Sequence, residues 1–398
     1  MAERTPEVRG FRFAGLAAGI KKSGLPDVAL AVAERPVPTA AVFTTNLVQA
    51  APVRIARERV AGGLAQAVLV NAGNANACTG KPGHEAALRS SAAIAEALGI
   101  DASQVVPAST GVIGQLLPAD KIVGVAPQLV KALGAHGGGD FAQAIMTTDK
   151  AQKVALRTLT LDGASVTVFG VAKGAGMIHP RMATTLAFVF TDANAPVALL
   201  RAALSRATDH SFNVATVDGE TSTNDMILLM ASGAADHAAL TEGSASATAF
   251  ESALREVLKE LAEQIVADGE GAEHVAEVEV RGTASDGEAR TIAQRVATSL
   301  LVKTAMHGKD ANWGRILCAA GMAGVPFDPE VVSIAIDDVT IVRDGLAVGA
   351  EAEDAAQRIM AGPRYAIRVQ VGSGPGRASY LTCDIGHRYI DVNAGYRS

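Results

Sequence analysis

The sequence predicts an α/β protein, and two observations carry that expectation. Strand-like and helix-like hydrophobic patterns alternate along all 398 residues, without a 20–50-residue repeat or a low-complexity tail. The composition is aliphatic, with only 4% aromatic residues and 40 glycines, so the core is expected to rest on small, closely packed Ala, Val, Leu and Ile. Residues 28–32 and 67–70 read as buried strands, and residues 84–98, with apolar side chains recurring at three and four, as an amphipathic helix. Residues 104–107 are strand-like. Residues 154–161 and 164–169 alternate, and Asp162-Gly163 between them signals a hairpin. A further strand is expected at 185–190 and helices at 196–210, 247–267 and 290–307, the last with Gly308 as its C-cap. Residues 365–371 and 378–383 read as paired strands joined through Gly372–Arg377, and 389–393 again look strand-like.

Composition narrows the function. A formal charge of −6 with no dense Lys/Arg cluster argues against a nucleic-acid partner. No run of about 18 apolar residues exists to span a bilayer, and the N-terminus lacks the apolar segment of a signal peptide. Cys78, Cys318 and Cys383 are widely spaced and odd in number, which suits reduced thiols in a cytoplasmic protein. The eight histidines show no zinc-binding spacing, so no metal site is expected. Gly372–Arg377 lacks the Lys-Ser/Thr of a P-loop and reads as a loop between strands.

The segment Lys173-Gly-Ala-Gly-Met-Ile-His-Pro-Arg-Met-Ala-Thr-Thr-Leu186 carries the chemistry. Thr184 follows the small Ala183. A threonine hydroxyl is a poor nucleophile without an adjacent base, and its own α-amine becomes one only once the preceding peptide bond is broken. An unperturbed α-amine titrates near ~7.8, so it accepts a proton at neutral pH. The segment thus has the parts of an N-terminal threonine nucleophile made by self-cleavage at Ala183–Thr184. His179 is assigned a structural or positioning role, because the amine supplies the base.

The segment resembles the cleavage site of the ornithine acetyltransferases, the glutamate N-acetyltransferases of arginine biosynthesis. The resemblance extends over the motifs Asn71–Gly80, Ser109–Gly114, Met146–Asp149, Asp218–Asp225, Asp268–Ala272, Asn312–Arg315 and Asn393–Ser398. Departures fall at Lys150, at Glu273-His274 and at Ala311, and none touches the expected nucleophile. The resemblance implies an α-β-β-α layered sandwich with a smaller C-terminal lobe. It also implies an α-chain 1–183 and a β-chain 184–398 sharing one core, and an assembly of αβ pairs, (αβ)2. It assigns Thr184 as nucleophile, and the Thr110 hydroxyl and Gly111 N–H as oxyanion donors. Substrate contacts fall on Thr147, Lys173, Thr184, Glu270, Asn393 and Ser398, with Lys173 suited to a carboxylate and Glu270 to an ammonium. The implied reaction is ping-pong acetyl transfer from N2-acetylornithine to glutamate, without a cofactor. Acetyl-CoA stays open as a second donor. Two rivals remain: an aminopeptidase or amidase using the same nucleophile with water, and a non-catalytic binding protein that has lost cleavage.

Overall fold

The computed structural model describes residues 7–179 and 185–395. They form two compact units, the first comprising 7–174, 185–213 and 221–265, the second 175–179, 214–220 and 266–395. The division does not fall at residue 183.

The first unit holds strands β1 (Phe11–Leu16), β2 (Val28–Phe43), β3 (Leu64–Asn74), β4 (Val105–Val112), β5 (Lys153–Leu161), β6 (Ala164–Lys173) and β7 (Leu186–Thr191). Strand β8 (Ala215–Thr216) belongs to the second unit, and β9 (Met226–Ala231) completes the first. The 16-residue β2 links two layers. Its first half pairs with β1 and β3, its register shifts between Val32 and Val37, and residues 39–43 pair with β9. From β9 the second layer runs through β7 and β6 to β5.

Residues 28–33 show why both faces of this strand are buried. Ala29, Ala31 and Ala33 join the core shared by the two layers. Val28, Leu30 and Val32 face helices α2 (Gly80–Leu98) and α3 (Ala119–Lys131). Short alanines let the layers approach, while the larger side chains fill the wider space under the helices. Helices α1 (Ala51–Val60) and α4 (Gly138–Ile145) add Ala56, Val60, Phe141 and Ile145 to the shared core. On the far side lie α5 (Val197–Asp209) and α6 (Ala245–Ala267). A Cβ on Gly170 of β6 would stand 2.5 Å from Val257 Cγ1 and 2.8 Å from Leu261 Cδ1, so glycine there lets α6 sit close. The result is the α-β-β-α sandwich expected.

Aromatics matter more to this core than their scarcity suggests. Phe11, Phe13, Phe141, Phe169, Phe188 and Phe190 converge, with Phe13 and Phe190 centroids 4.9 Å apart and edge-to-face. Four of these precede position 183 and two follow it.

The second unit holds β10 (Val275–Gly282), β11 (Ser333–Ile336), β12 (Val339–Arg343), β13 (Leu346–Ala347), β14 (Arg364–Gln370) and β15 (Gly374–Cys383). With β8 they form one sheet in the order β13-β12-β11-β14-β10-β15-β8. Its helices are α7 (Asp286–Ala297), α8 (Leu300–His307), α9 (Trp313–Gly321), α10 (Ala350–Met360) and α11 (His387–Ala394). Alternation along β10 sends Ala276, Val278 and Val280 into a core with α7, α9 and α10, leaving Glu279 to pair with Arg281 and Arg368.

The Asp162-Gly163 hairpin holds: both residues have positive φ, 50° and 86°, and Leu161 pairs with Ala164. Three local expectations are corrected. The helix over 290–307 is two helices, because Ser299 caps α8 through the N–H of Val302. Gly308 is its C-cap but is right-handed, and Lys309 takes the left-handed turn at φ 55°. Strands β14 and β15 do not pair with each other, since β10 lies between them, parallel to one and antiparallel to the other. The link between them bends round the end of β10. There Val371 N donates to Arg281 O, and a Cβ on Gly282 would meet Gly372 O at 2.2 Å. Finally, 389–393 lie in a helix, where Asn393 Nδ2 donates to Tyr389 O one turn back.

Candidate active site

In the first unit, the ends of β4 and β6 and the turn after α4 bring three expected residues together. Lys173, 4% exposed at the end of β6, donates to Thr110 Oγ1 at 3.1 Å and Thr147 Oγ1 at 2.7 Å. Because the ammonium occupies an acceptor site on the Thr110 oxygen, the Thr110 hydroxyl hydrogen is directed to another acceptor. That is the polarity an oxyanion donor requires.

Gly111 continues β4 with φ 131°, beside the register shift at Gly73 and Asn74 of β3. A Cβ there would lie 2.3 Å from Gly73 C and 2.5 Å from Asn74 N, so backbone contact and conformation both demand glycine. The Asn-rich loop after β3 secures this corner. Ser109 Oγ donates to Asn71 Oδ1 at 2.6 Å, and Asn71 Nδ2 to Asn74 O at 2.8 Å.

Asp149 organises the cations. It accepts from Lys153 Nζ at 2.6 Å, Gly174 N at 2.7 Å and Thr147 N at 2.8 Å, and lies 3.9 Å from Lys173 Nζ. Burial pushes its carboxyl up, but Lys173, Lys153 and the hydrogen bonds outweigh burial and hold it well below the usual carboxylate range. Lys21 feels the same cluster. Burial lowers the pKa of its ammonium, Asp27 and Asp149 raise it, and Lys173 lowers it.

Thr185, the first described residue after the expected cut, is fixed by its backbone. Its N–H donates to Asp225 Oδ1 at 2.9 Å, and its carbonyl accepts from Met226 N at 3.1 Å. Asp225 is buried, and its carboxyl is pushed well above its ordinary range, first by burial, against the opposing pull of the Thr185 N–H and Lys173.

The second unit gathers the remaining described candidates. Asn393 Nδ2 donates to Glu270 Oε2 at 2.9 Å, and Glu270 N donates to Ala175 O at 2.8 Å. A Cβ on Gly176 would stand 2.3 Å from Glu270 Oε2, and one on Gly271 would meet Tyr389 N at 2.5 Å. The glycines of Lys-Gly-Ala-Gly and Gly-Glu-Gly therefore admit a carboxylate and the start of α11. Asp218 accepts from Met177 N at 2.5 Å, Ile178 N at 2.9 Å and the Tyr389 hydroxyl at 3.3 Å.

The structure thus brings Thr110, Gly111, Thr147 and Lys173 together in one unit, and Glu270 and Asn393 in the other. Ala183, Thr184 and Ser398 lie outside the described residues. His179 Nε2 is 3.3 Å from Gln294 Nε2. Glu273 and His274 donate main-chain N–H groups to Asp384, which gives that departure from the family pattern a structural place. The Asn-Trp-Gly-Arg motif is a helix corner: Asn312 caps α9, and Trp313 Nε1 donates to Glu353. Sequence reasoning missed Lys21, Asp149, Lys153 and Asp225. Asp149 and Asp225 end two motifs noted above, whereas Lys153 stands just before the strand expected at 154–161 and begins β5 in the structure. Among the described residues no His/Cys/Asp/Glu group could hold a metal ion, and no helix is long and apolar enough to cross a membrane.

Comparison with known proteins agrees along the whole chain. The model of the ArgJ family matches residues 12–398. The arginine biosynthesis bifunctional protein ArgJ of Syntrophotalea carbinolica is 47% identical over 392 residues, covering 98% of this chain and 100% of that protein. The protein of the same name from Geobacter sulfurreducens is 46% identical over 98% of this chain and 100% of its own length. Among solved structures, the arginine biosynthesis bifunctional protein of Bacillus halodurans is similar with a TM-score of 0.51 and 42% identity, covering 52% of this chain and 98% of that one. With the family model matched over residues 12–398 and two relatives 46–47% identical over 98% of its length, the chain belongs to the ArgJ family.

Proposed function

We propose that the chain is cut at Ala183–Thr184 and transfers acetyl from N2-acetylornithine to glutamate through an acetyl-Thr184 ester. The observation that carries this reading is the convergence of Thr110, Thr147 and Lys173 within hydrogen-bond distance.

In the first half-reaction the Thr184 Oγ attacks the acetyl carbonyl as its α-amine takes the hydroxyl proton. The C–N bond breaks, the departing nitrogen takes that proton, and ornithine leaves. The Thr110 hydroxyl and Gly111 N–H stabilise the developing oxyanion. One such donor contributes about 3–4 kcal/mol in the transition state. In the second half-reaction the glutamate amine attacks the ester, the Thr184 oxygen recovers a proton, and N-acetylglutamate departs. Lys173 serves the substrate carboxylate together with Thr147, Glu270 serves the ammonium, and Asn393 holds Glu270 in place. Ser398 is a further substrate contact. No cofactor enters this scheme.

The two fragments stay associated, because Phe190 from one packs on Phe11, Phe13 and Phe141 from the other, and Phe188 packs on Phe141. Their assembly is (αβ)2, to be checked by native mass spectrometry.

Intact-mass analysis of the wild type beside Thr184→Ala tests the cut. Two wild-type fragments meeting at 183/184 and an uncut variant are expected. A single wild-type chain would remove the base and overturn the mechanism. Assay of N2-acetylornithine with glutamate and with water alone then separates transfer from amidase activity. Acetyl-CoA as sole donor shows whether a thioester also loads Thr184.

A further inference from the structure

The Asp218–Asp225 motif is left unexplained by the scheme above, yet its last two residues touch both strands the scheme uses. Asn224 Nδ2 donates to Ser109 O at 2.8 Å, directly before Thr110, and to Ala75 O at 2.7 Å. Asp225 Oδ1 accepts the Thr185 N–H at 2.9 Å, directly after Thr184. The segment carrying them is itself pinned. Thr44 N donates to Asp225 O, Thr44 Oγ1 to Ser222 O, Ala50 N to Thr223 O and Asn46 Nδ2 to Thr221 O, all between 2.7 and 3.0 Å. Asn224 and Asp225 are both buried.

A buried carboxyl is costly unless it is paired, and no ion pair forms on Asp225 among the described residues. Its Oδ2 has no hydrogen-bond partner. A neutral acceptor would satisfy the Thr185 N–H without that cost. What this carboxyl supplies is direction. Peptide planarity ties the Thr185 N–H to the carbonyl and Cα of Thr184, so fixing one fixes the plane of the other.

We propose that Asn224 and Asp225 form a positioning pair that sets the oxyanion strand and the nucleophile strand in register for cleavage at Ala183–Thr184. The pair acts through Ser109 and Thr185, and neither residue is assigned a contact with substrate. The proposal rests on the cleavage reading above. Burial favours the neutral acid at Asp225, so an amide, which keeps an uncharged oxygen acceptor in the same place, should replace it.

The test follows cleavage of full-length precursor made by cell-free translation, timed by intact mass, with the melting temperature of each variant recorded. Asn224→Ala and Asp225→Ala should each slow cleavage about tenfold or more while still folding, and Asp225→Asn should cleave within about threefold of the wild type. Rescue by the amide separates positioning from a general loss of packing. Wild-type cleavage rates in either alanine variant, or a folded Asp225→Asn that is as slow as Asp225→Ala, would overturn the proposal. If the alanine variants fail to fold, Asp225→Asn decides: cleavage within about threefold supports the pair, and a loss of about tenfold in a folded chain overturns it. Thr184→Ala and the wild type run alongside. An uncut wild type defeats the cleavage reading itself, whereas a cut wild type with unaffected alanine variants defeats only this inference.

Discussion

Asp149 and Asp225 sit in the same unit, and both are buried, yet their carboxyls shift in opposite directions. Asp149 lies between Lys153 and Lys173 and accepts three hydrogen bonds from lysine and main-chain N–H groups. It is held well below its ordinary range in spite of burial. Asp225 has one main-chain N–H on its carboxylate, and Lys173, as a more distant charge, and the Thr44 hydroxyl add smaller pulls. Burial wins there, and the neutral acid is favoured. Burial alone therefore does not set the charge of an acid in this core; adjacent cations do. The corner around Lys173 is built to hold charge, and the Thr185 corner to hold a direction.

The largest effect should come from breaking the charged side. Asp149→Ala removes the carboxylate that lies 2.6 Å from Lys153, 1% exposed, and 3.9 Å from Lys173. Removing one member of a buried pair costs about 3–5 kcal/mol, to be read from urea unfolding of wild type and variant. The folded pKa of Asp149 is depressed, so its stabilisation is present above the unfolded carboxylate range and is lost as pH falls through the lower folded value. The gap between wild type and Asp149→Asn should stay constant from about pH 5 to 8 and close in strong acid.

Lys173→Met comes next. It removes the ammonium that directs the Thr110 hydroxyl hydrogen, and kcat for acetyl transfer should fall about a hundredfold or more. A variant that keeps its kcat and raises only KM would instead limit Lys173 to binding.

The neutral side predicts the reverse pH dependence. The folded pKa of Asp225 is raised, so the native state binds more protons than the unfolded chain at neutral pH. Wild-type stability then falls as pH rises above the unfolded range. Asp225→Asn lacks that titration. Its stability should match the wild type near pH 4 and exceed it increasingly as pH rises from there toward the raised folded value, with a slope of up to about 1.4 kcal/mol per pH unit. A pH-independent difference would mean that Asp225 is charged and paired like Asp149.

The sequence made the layers legible because their signals are local. The all-apolar run 28–32, the Asp-Gly turn and the amphipathic 84–98 each declare themselves within a few residues. Non-local pairing stayed hidden: nothing in 365–383 shows that β10, some 90 residues earlier, separates the two strands. The 389–393 stretch alternates like a strand, yet it is helical where Asp218 takes the Tyr389 hydroxyl and Glu270 the Asn393 amide, one turn apart. In the same way Thr110, Gly111, Thr147 and Lys173 were legible as motif members, while Asp149 and Asp225 could not be ranked. Their importance is electrostatic and depends on which cations the fold brings near.

The smallest effect tests how far the neutral corner tolerates polar groups without partners. Thr185 is 2% exposed, its Oγ1 makes no hydrogen bond, and the neighbouring Asp225 Oδ2 makes none either. An unsatisfied buried hydroxyl is a net cost, and valine has the same shape without it. Thr185→Val should therefore raise stability by about 1 kcal/mol in urea unfolding, at every pH from about 5 to 8, because no titrating group is removed. A loss of stability instead would show that the hydroxyl has a partner in solution, and Asp225 Oδ2 would be the first to examine. In that case the gain expected for Asp225→Asn at high pH should shrink as well, since a Thr185 hydroxyl donating to Oδ2 would hold the ionised form of Asp225 more firmly. The two variants therefore constrain one another, and measuring both shows whether the difference between Asp149 and Asp225 is one of charge compensation alone.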